Sequence, residues 1–284
     1  NWLKYLGDRD FRAFVICYNR HTMISVVLAT HNEAHNIEQC LSSVASFADE
    51  IIVVDGNSTD ETRSLAKKFG ARVIKTTNKK NFHINKQLAM DKAKGQLVLQ
   101  IDADEAVDEE LADFIKKTDQ RVSKQKKFGH NDTVAWWIKR RNLFMGRWLK
   151  KGGQYPDPVI RLYVNGKAGL PQKDIHEQMW VDGHIGMADG HLWHYSNPTF
   201  SVYLHKFNTY TSFKAQQLLE SGLKINPITF INYLLIKPLV TFLKLYLRHK
   251  GIVDGWPGFV FALFSGLHHP IAYLKCWELT LGEN

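Results

Sequence analysis

The chain has 284 residues, 44% hydrophobic and 23% charged, with a formal net charge of +9. That length suffices for one large domain or a domain with an appendage, and the composition excludes a disordered chain. The positive balance points to an anionic partner: nucleic acid, a phosphorylated ligand or an anionic membrane surface. Cys17, Cys40 and Cys276 are widely spaced and odd in number. They form neither a zinc pattern nor a disulfide framework and fit a reducing compartment.

Residues 1–22 show no regular period and lack the continuous apolar core of a secretory signal. Met23 stands directly before the first strand. Two readings stand for this N-terminal extension: a stretch preceding a native start at Met23, or an ordinary helix. From Met23 onward, short apolar runs alternate with helical stretches. "ISVVLAT" (24–30) predicts a strand, 35–47 a helix and "EIIVVDG" (50–56) a second strand. "STDETRSLAKKFG" predicts a helix capped by Ser58 or Thr59 and ended by Gly70. "ARVIKT" is a third strand, followed by a helix to Gly95 and a strand in "QLVLQIDAD".

This alternation implies βαβ units and a mostly parallel sheet, which binds ligands at the carboxyl ends of its strands. "THNE" (30–33), "DGNSTD" (55–60) and "DADE" (102–105) lie at three such ends. One crevice is therefore predicted to collect Asn32, Glu33, Asp55, Asp102 and Asp104. On a regular strand Asp102 and Asp104 point to opposite faces, so the turn must bring them together. Oxygen ligands of this kind suit Mg²⁺ or Mn²⁺ bridging to phosphates. A solvated turn capping a helix is the plainer reading of "DAD" alone; three polar strand ends on one edge favour the metal.

Beyond residue 120, "RVSKQKKFGHND" reads as a basic, turn-rich linker. "TVAWWIKRRNLF" and "PVIRLYVNGKAGL" read as strands, the second turning at Asn165-Gly166. "SVYLHKFNTYTSFKAQQLLESG" predicts a helix ended by Gly222.

"ISVVLATHNEAHNIEQCLSSV", "ADEIIVVDGNSTDET" and "GQLVLQIDADE", followed by "GGQYPDPVIRLY", "DIHEQ" and "HLWHYS", resemble in that order the family 2 glycosyltransferases with a GT-A-type fold. Within them the chain resembles the bacterial subgroup related to lipopolysaccharide-core β-glucosyltransferases. The resemblance covers about residues 23–220. It implies an α/β, Rossmann-like, mostly parallel sheet with flanking helices. Residues 23–118 then form the nucleotide-sugar half and 119–222 the acceptor half, with 223–284 as an amphipathic helical region. The implied activity is inverting transfer of a sugar from a nucleoside-diphosphate donor, a UDP-sugar foremost, to a cell-envelope glycan or lipid-linked acceptor.

Residue by residue, Thr30, Asn32 and Glu33 match the loop that holds the nucleoside, and Asp55 the acid at the base. Asp102 and Asp104 match the DXD pair, with Asp104 the more direct metal ligand and Asp102 nearer the ribose. Asn85 and Lys86 fall in a segment that supplies another nucleotide contact, although "FHINKQLA" departs from the commoner Arg-Asn form. A metal ion offsets charge on the departing β-phosphate. Inversion also needs a base for the acceptor hydroxyl. Glu177, flanked by Asp174 and His176, matches the base position of relatives; Asp157 in "YPDP" is the second candidate. His194 matches a histidine that some relatives use as a further metal ligand, and imidazole suits Mn²⁺. Arg161 faces phosphate or acceptor, or forms a strand-edge salt bridge.

In "INYLLIKPLVTFLKLYLRHKG" (231–251), Lys237, Lys244 and Arg248 form one helical stripe beside a broad apolar face. This predicts a helix lying in an anionic membrane interface. Packing of that face into the protein's own core is the competing reading. The charges and Pro238 argue against an easy span. "PGFVFALFSGLHHPIAYLKCW" is predicted to re-enter the membrane or to pack on the first segment. Membrane attachment would account for the basic balance without nucleic acid, on the cytoplasmic, inner face of the cell membrane. A nucleotidyltransferase is disfavoured because "ATHNEAHN" lacks the glycine and lysine of a phosphate loop. Intact acids at all three strand ends disfavour a non-catalytic membrane adaptor that kept the fold.

Overall fold

The computed structural model describes residues 23–79, 81–125, 127–171 and 178–282. The expectations for residues 1–22 and for Asp174, His176 and Glu177 lie outside the described residues. The alternation read from the sequence is present as β1 (Ile24–Thr30), α1 (Ile37–Val44), β2 (Glu50–Asp55), α2 (Thr62–Lys68), β3 (Arg72–Lys75), α3 (Phe82–Asp91) and β4 (Leu97–Gln100). β1 pairs in parallel with β2 and β4, and β2 with β3, so their carboxyl ends share one edge. β1, β2 and β4 are largely apolar because both faces are covered, whereas the edge strand β3 carries exposed Arg72 and Lys75. Val26, Leu28, Val53 and Leu99 pack with Leu41 of α1. Val27, Ile52, Val54 and Val98 pack on the other face with Ala89 and Met90 of α3.

The start of α2 differs from expectation. Ser58 donates from both its N–H and its hydroxyl to the buried Asp55 carboxylate, and the helix begins at Thr62 without a side-chain cap. A buried carboxylate needs those donors more than an exposed helix end does.

The second half adds β5 (Glu105–Val107), α4 (Glu109–Val122), β6 (Thr133–Phe144), β7 (Arg147–Trp148), β8 (Asp157–Val164), β9 (Ala168–Gly169), β10 (Trp180–Val181) and β11 (His184–Asn197). The sheet runs β3-β2-β1-β4-β8-β6-β11-β5, with β7 on β6 and β9-β10 as a separate pair. β8 is antiparallel to both β4 and β6, so the sheet is mixed. β5 lies four strand spacings from β4, roughly 19 Å across a flat sheet. The connection is too short for that, being a turn closed by Glu105 N–H donating to Asp102 O at 3.0 Å. The sheet must therefore curl, which brings β8 and β5 round the end of β4.

The C-terminal part comprises α5 (Phe200–Glu220), α6 (Pro227–Arg248), a 3₁₀ turn (Gly251–Asp254) and α7 (Gly255–Gly282). α6 continues through Pro238 because Asn232–Ile236, just before it, is wound as π-helix, which accommodates the missing N–H. By length and composition this 22-residue helix is apolar enough to cross a membrane. One side of it packs on α7 through Phe242 and Tyr246 against Phe259. α7 runs unbroken past Pro270 and, besides its contact with α6, packs on α5 through Ala272 and Cys276 against Ala215 and Leu218. Phe144 at the end of β6 meets Tyr203 and Phe261, and buried Asp254 accepts from the Lys151 N–H at 2.8 Å. These contacts join the helices to the sheet. The opposite side of α6 stays open: Leu235 is 63% exposed and Leu239 58%.

Asp119 on α4 is buried, and its carboxyl is pushed up to about 6 by burial first and the Asp49 charge second. The unfolded group titrates near ~3.9. Its contribution is therefore complete below that pH and is lost as pH rises through 6, about 2–3 kcal/mol in all. Asp119→Asn removes the charge and keeps the shape. Urea unfolding is expected to show the variant gaining about 2 kcal/mol over the native chain between about pH 4 and pH 7; parallel pH curves would show that no such penalty exists.

Candidate active site

The loops after β1 and β2 are stitched together. Thr30 sits opposite Asp55 in the parallel register. Asp55 is fully buried, accepting from Ser58 and from Arg63 Nη1 at 3.2 Å. Asn32 adopts a positive φ of 56°, which asparagine tolerates; its N–H donates to Ser58 Oγ at 2.9 Å and its Oδ1 accepts from the Thr59 N–H at 2.8 Å. The Glu33 N–H donates to Thr62 Oγ1 at 2.8 Å. Asn85, buried at the start of α3, donates to Thr77 O at 3.0 Å. Glu33, Lys86, Asp102, Asp104 and His194 line one cleft of about 1290 Å³, together with Arg140, Asp157 and Arg161. Thr30, Asn32, Asp55 and Asn85 lie outside that lining, in the knitted layer beside it.

The acids at the end of β4 already have cationic partners. Register pairing of Leu99 with Leu162 sets Arg161 beside Gln100, and Arg161 Nη1 donates to the Gln100 amide oxygen. Arg161 Nη2 lies 2.5 Å from Asp102 Oδ2 and 3.2 Å from Glu105 Oε1. Lys86 Nζ takes the other Asp102 oxygen at 2.5 Å. Arg140 joins Glu105 at 3.3 Å to Asp157 at 2.6 Å. Burial alone would raise the Asp102 pKa; Arg161 and then Lys86 outweigh it and hold the carboxyl well below the usual range. Burial likewise pulls the Lys86 pKa down, with Asp102 opposing. Both Asp102 oxygens are thus engaged by nitrogen donors, and Arg161, on the central strand β8, forms its salt bridges while lining the cleft.

Asp104 is placed differently. Its carbonyl accepts from the Tyr195 N–H at 2.8 Å, while its carboxylate lies 3.4 Å from His194 Nε2 and 3.9 Å from Lys206 Nζ. Burial raises its pKa, but the His194 hydrogen bond and charge bring the net value down. Asn142 Nδ2 donates to Gln154 O at 3.2 Å and Asp157 Oδ2 at 3.1 Å, leaving its Oδ1 at 2.6 Å from His194 Nδ1. Nδ1 must therefore carry a proton. In the neutral ring Nε2 then turns a lone pair toward the Asp104 carboxylate, and two acceptors face one another. A proton or a metal ion resolves that opposition, and a carboxylate with an imidazole fits Mn²⁺. Glu33 shares the cleft; burial first, then the Asp104 charge, raise its pKa, against a hydrogen bond from Asn36. Asp108, Glu110 and His191 also bring ligand atoms within 4.8 Å of one another. Asp108 caps α4 through the Leu111 N–H, and the His191 nitrogens meet Asp108 and Tyr155 at 3.2 and 2.8 Å.

Arg140, Asn142 and Lys206 were not singled out in the sequence. Trp136, Ile138, Arg140 and Asn142 alternate along β6 and share one face. A charge and an amide at inward positions of an apolar strand were the available signal.

A model of glycosyl transferase family 2 matches residues 25–178. The chain is 29% identical over 270 residues to an uncharacterized glycosyltransferase of Rickettsia typhi, covering 91% of this chain and 88% of that protein. It is 26% identical over 278 residues to the lipopolysaccharide core biosynthesis glycosyltransferase LpsC of Rhizobium meliloti, covering 94% and 91%. Among solved structures it is similar to S. aureus TarS 1–349 in complex with UDP-GlcNAc, with 15% identity, a TM-score of 0.48 and 92% of each chain covered. The mannosyltransferase PcManGT from Pyrobaculum calidifontis, in complex with GDP-Man and Mn²⁺, is similar at 13% identity and a TM-score of 0.49, covering 90% of this chain and 87% of that one.

Removing Arg161 leaves two carboxylates without their shared cation. Arg161→Met is expected to lower stability in urea by about 3 kcal/mol, and adding Glu105→Gln to restore part of the loss. Equal stability of the single variant and the native chain would show that Lys86 and Arg140 suffice.

Proposed function

The chain belongs to glycosyl transferase family 2, and from that premise we propose that it transfers a sugar, with inversion, from a nucleoside-diphosphate donor to a cell-envelope glycan or lipid-linked acceptor. The supporting observation is the Asp104–His194 pair, held by Tyr195 and Asn142 at the end of β4, in a cleft it shares with Glu33 and Lys86. We take a UDP-sugar as the first donor to test, as the motif resemblance implies.

In this reading the layer of Thr30, Asn32 and Asp55 supports the nucleoside, with Asn85 positioning the neighbouring Thr77 loop. Asp102, clamped by Lys86 and Arg161, offers a rigid acceptor edge to the ribose, and Glu33 closes the same wall. Asp104 and His194 would hold Mg²⁺ or Mn²⁺. When bound, such an ion supplies Lewis-acid stabilisation of the charge that develops on the departing diphosphate. Lys206, close to Asp104, adds a second positive charge there without leaving α5. Glu177 takes the proton of the acceptor hydroxyl. Asp157 is the poorer base, because its Oδ2 already accepts from Arg140 Nε, Arg140 Nη2 and Asn142 Nδ2.

The open side of α6 is proposed to lie on the anionic cytoplasmic face of the cell membrane. Leu235, Leu239, Val240 and Trp256 supply exposed apolar area, with Lys244 and Arg248 on the same helix. A bilayer covers such a surface without requiring a complementary protein.

Hydrolysis of a panel of UDP-sugars with Mn²⁺ tests the catalytic reading. Asp104→Asn, or a chelator with the native chain, is expected to lower turnover about 100-fold or more. Turnover indifferent to both would remove the metal from the reading, and no turnover of any nucleotide sugar would favour the adaptor. Co-sedimentation with vesicles containing anionic lipid tests the surface: Leu235→Glu/Leu239→Glu is expected to release the chain, whereas native protein that stays in solution at low salt would refute attachment.

A further inference from the structure

The cleft continues past the acids, and its far half has the opposite character. Tyr203, Lys206, Phe207, Tyr210, Lys214 and Gln217 of α5 line it, spaced along one helical face, opposite Phe264 and His268 of α7. Tyr203 and Phe207 of that face pack against Phe264 and His268, and Ala215 and Leu218 pack on α7 further along; Tyr210, Phe213 and Lys214 are left open. An ordinary surface helix turns its aromatics inward and its lysines to solvent. Tyr203 and Phe207 follow that rule against α7, whereas Tyr210 and Phe213, next to the exposed Lys214, are 55% and 54% exposed.

The charge is equally one-sided. Glu33, Asp102, Asp104 and Asp157 all line the first half, and among the described residues no carboxylate lines the second. Among the described residues Lys214 makes no ion pair; its Nζ meets Gln217 Oε1 at 3.4 Å. Lys206 donates to Ser196 O at 2.8 Å, which sets its ammonium at the junction of the two halves. The His268 pKa is lowered by burial and then by Lys214 and Lys275, and its ring adds a hydrogen-bonding group to the wall.

We propose that the α5–α7 groove is the acceptor subsite and that it takes an anionic sugar, one bearing a phosphate or a carboxylate. The proposal rests on the glycosyltransferase reading and adds the chemical class of acceptor. Tyr210 and Phe213 offer flat apolar faces against which the C–H face of a pyranose packs. Lys214 supplies a charge-assisted hydrogen bond to the anionic substituent. A neutral sugar would leave Lys214 unanswered, and a simple anion would leave the rings unused. The groove is continuous with the donor cleft, so a sugar seated there presents its hydroxyls toward Asp104 and Lys206.

Saturation-transfer NMR on the full chain, with UDP and Mg²⁺ present to occupy the donor site, tests this with four probes: glucose 6-phosphate, glucuronate, glucose and inorganic phosphate. Glucose 6-phosphate or glucuronate is expected to bind about tenfold more tightly than glucose, and the tighter of the two identifies the anion. Lys214→Gln and Tyr210→Ala are each expected to weaken that binding several-fold. Both positions are on the open face, and urea unfolding verifies that each variant is folded. Lys224→Gln, an exposed lysine off the groove, is expected to leave it at the native level. Equal binding of glucose and its phosphate, binding indifferent to Lys214→Gln, or no saturation up to about 50 mM probe would overturn the proposal. Donor hydrolysis by the same samples separates the two levels: if it persists and remains Asp104-dependent while the probes fail, the acceptor inference falls and the transferase reading stands.

Discussion

The end of β4 is possible because one guanidinium reaches two carboxylates. Asp102 and Glu105 sit where an apolar strand leaves the core, and Arg161 bridges them from the antiparallel neighbour β8. Isolated carboxylates in such a place would carry a desolvation cost of several kcal/mol each. The planar fork of arginine suits the task, since it meets Gln100, Asp102 and Glu105 at once while staying charged. For Arg161 to do so, β8 must lie beside β4 in that register, and β5 must return to the same point. The curl of the sheet and the neutralisation of its acids are therefore one requirement.

From this follows a division of labour inside "DAD". Asp102 is drawn to Lys86 and Arg161, Ala103 is buried, and Asp104 is held by its own carbonyl against β11. Only Asp104 is left facing an imidazole whose other nitrogen must donate to Asn142. The clamp lets the two carboxylates, two residues apart, serve separate ends. Both line the cleft, one fixed by cations and the other facing His194. The same clamp keeps the acids at one end of the cleft, and among the described residues no carboxylate lines it beside Lys214 of α5 at the other.

The parallel half was legible because its signals are local. Runs such as "ISVVLAT" and "EIIVVDG", apolar on both faces and ending in polar loops, can only be central strands, and their ends must share an edge. The convergence of Glu33, Asp102 and Asp104 on one cleft followed from that alone. The neutralising partners were not legible. Arg140 and Arg161 lie 35 and 56 residues from Glu105, and nothing in their spacing encodes the curl that delivers them. Repulsion among acids was visible, and a metal was the local remedy at hand; long-range ion pairs supply most of the remedy. Ser58 looked like a cap because its demand from buried Asp55 is a tertiary fact. In α6, Lys237 and Pro238 read as interruptions, whereas a π-helical turn absorbs the proline and Lys237 rests over the Tyr233 ring at 3.4 Å.

The C-terminal helices form part of the wall of the cleft rather than an appendage. α7 presents Phe264 and His268 to the cleft and packs Phe259 against Phe242 and Tyr246 of α6. Asp254, at the turn that starts α7, is buried and tied to the backbone of Lys150 and Lys151. A rigid path thus runs from the open apolar side of α6, through α7, to the wall of the groove. On the proposed membrane reading, seating α6 on a bilayer would set the height of that groove above the lipid. An acceptor anchored in the same bilayer would then search a surface rather than a volume, and its effective concentration at the groove would rise without any added contact.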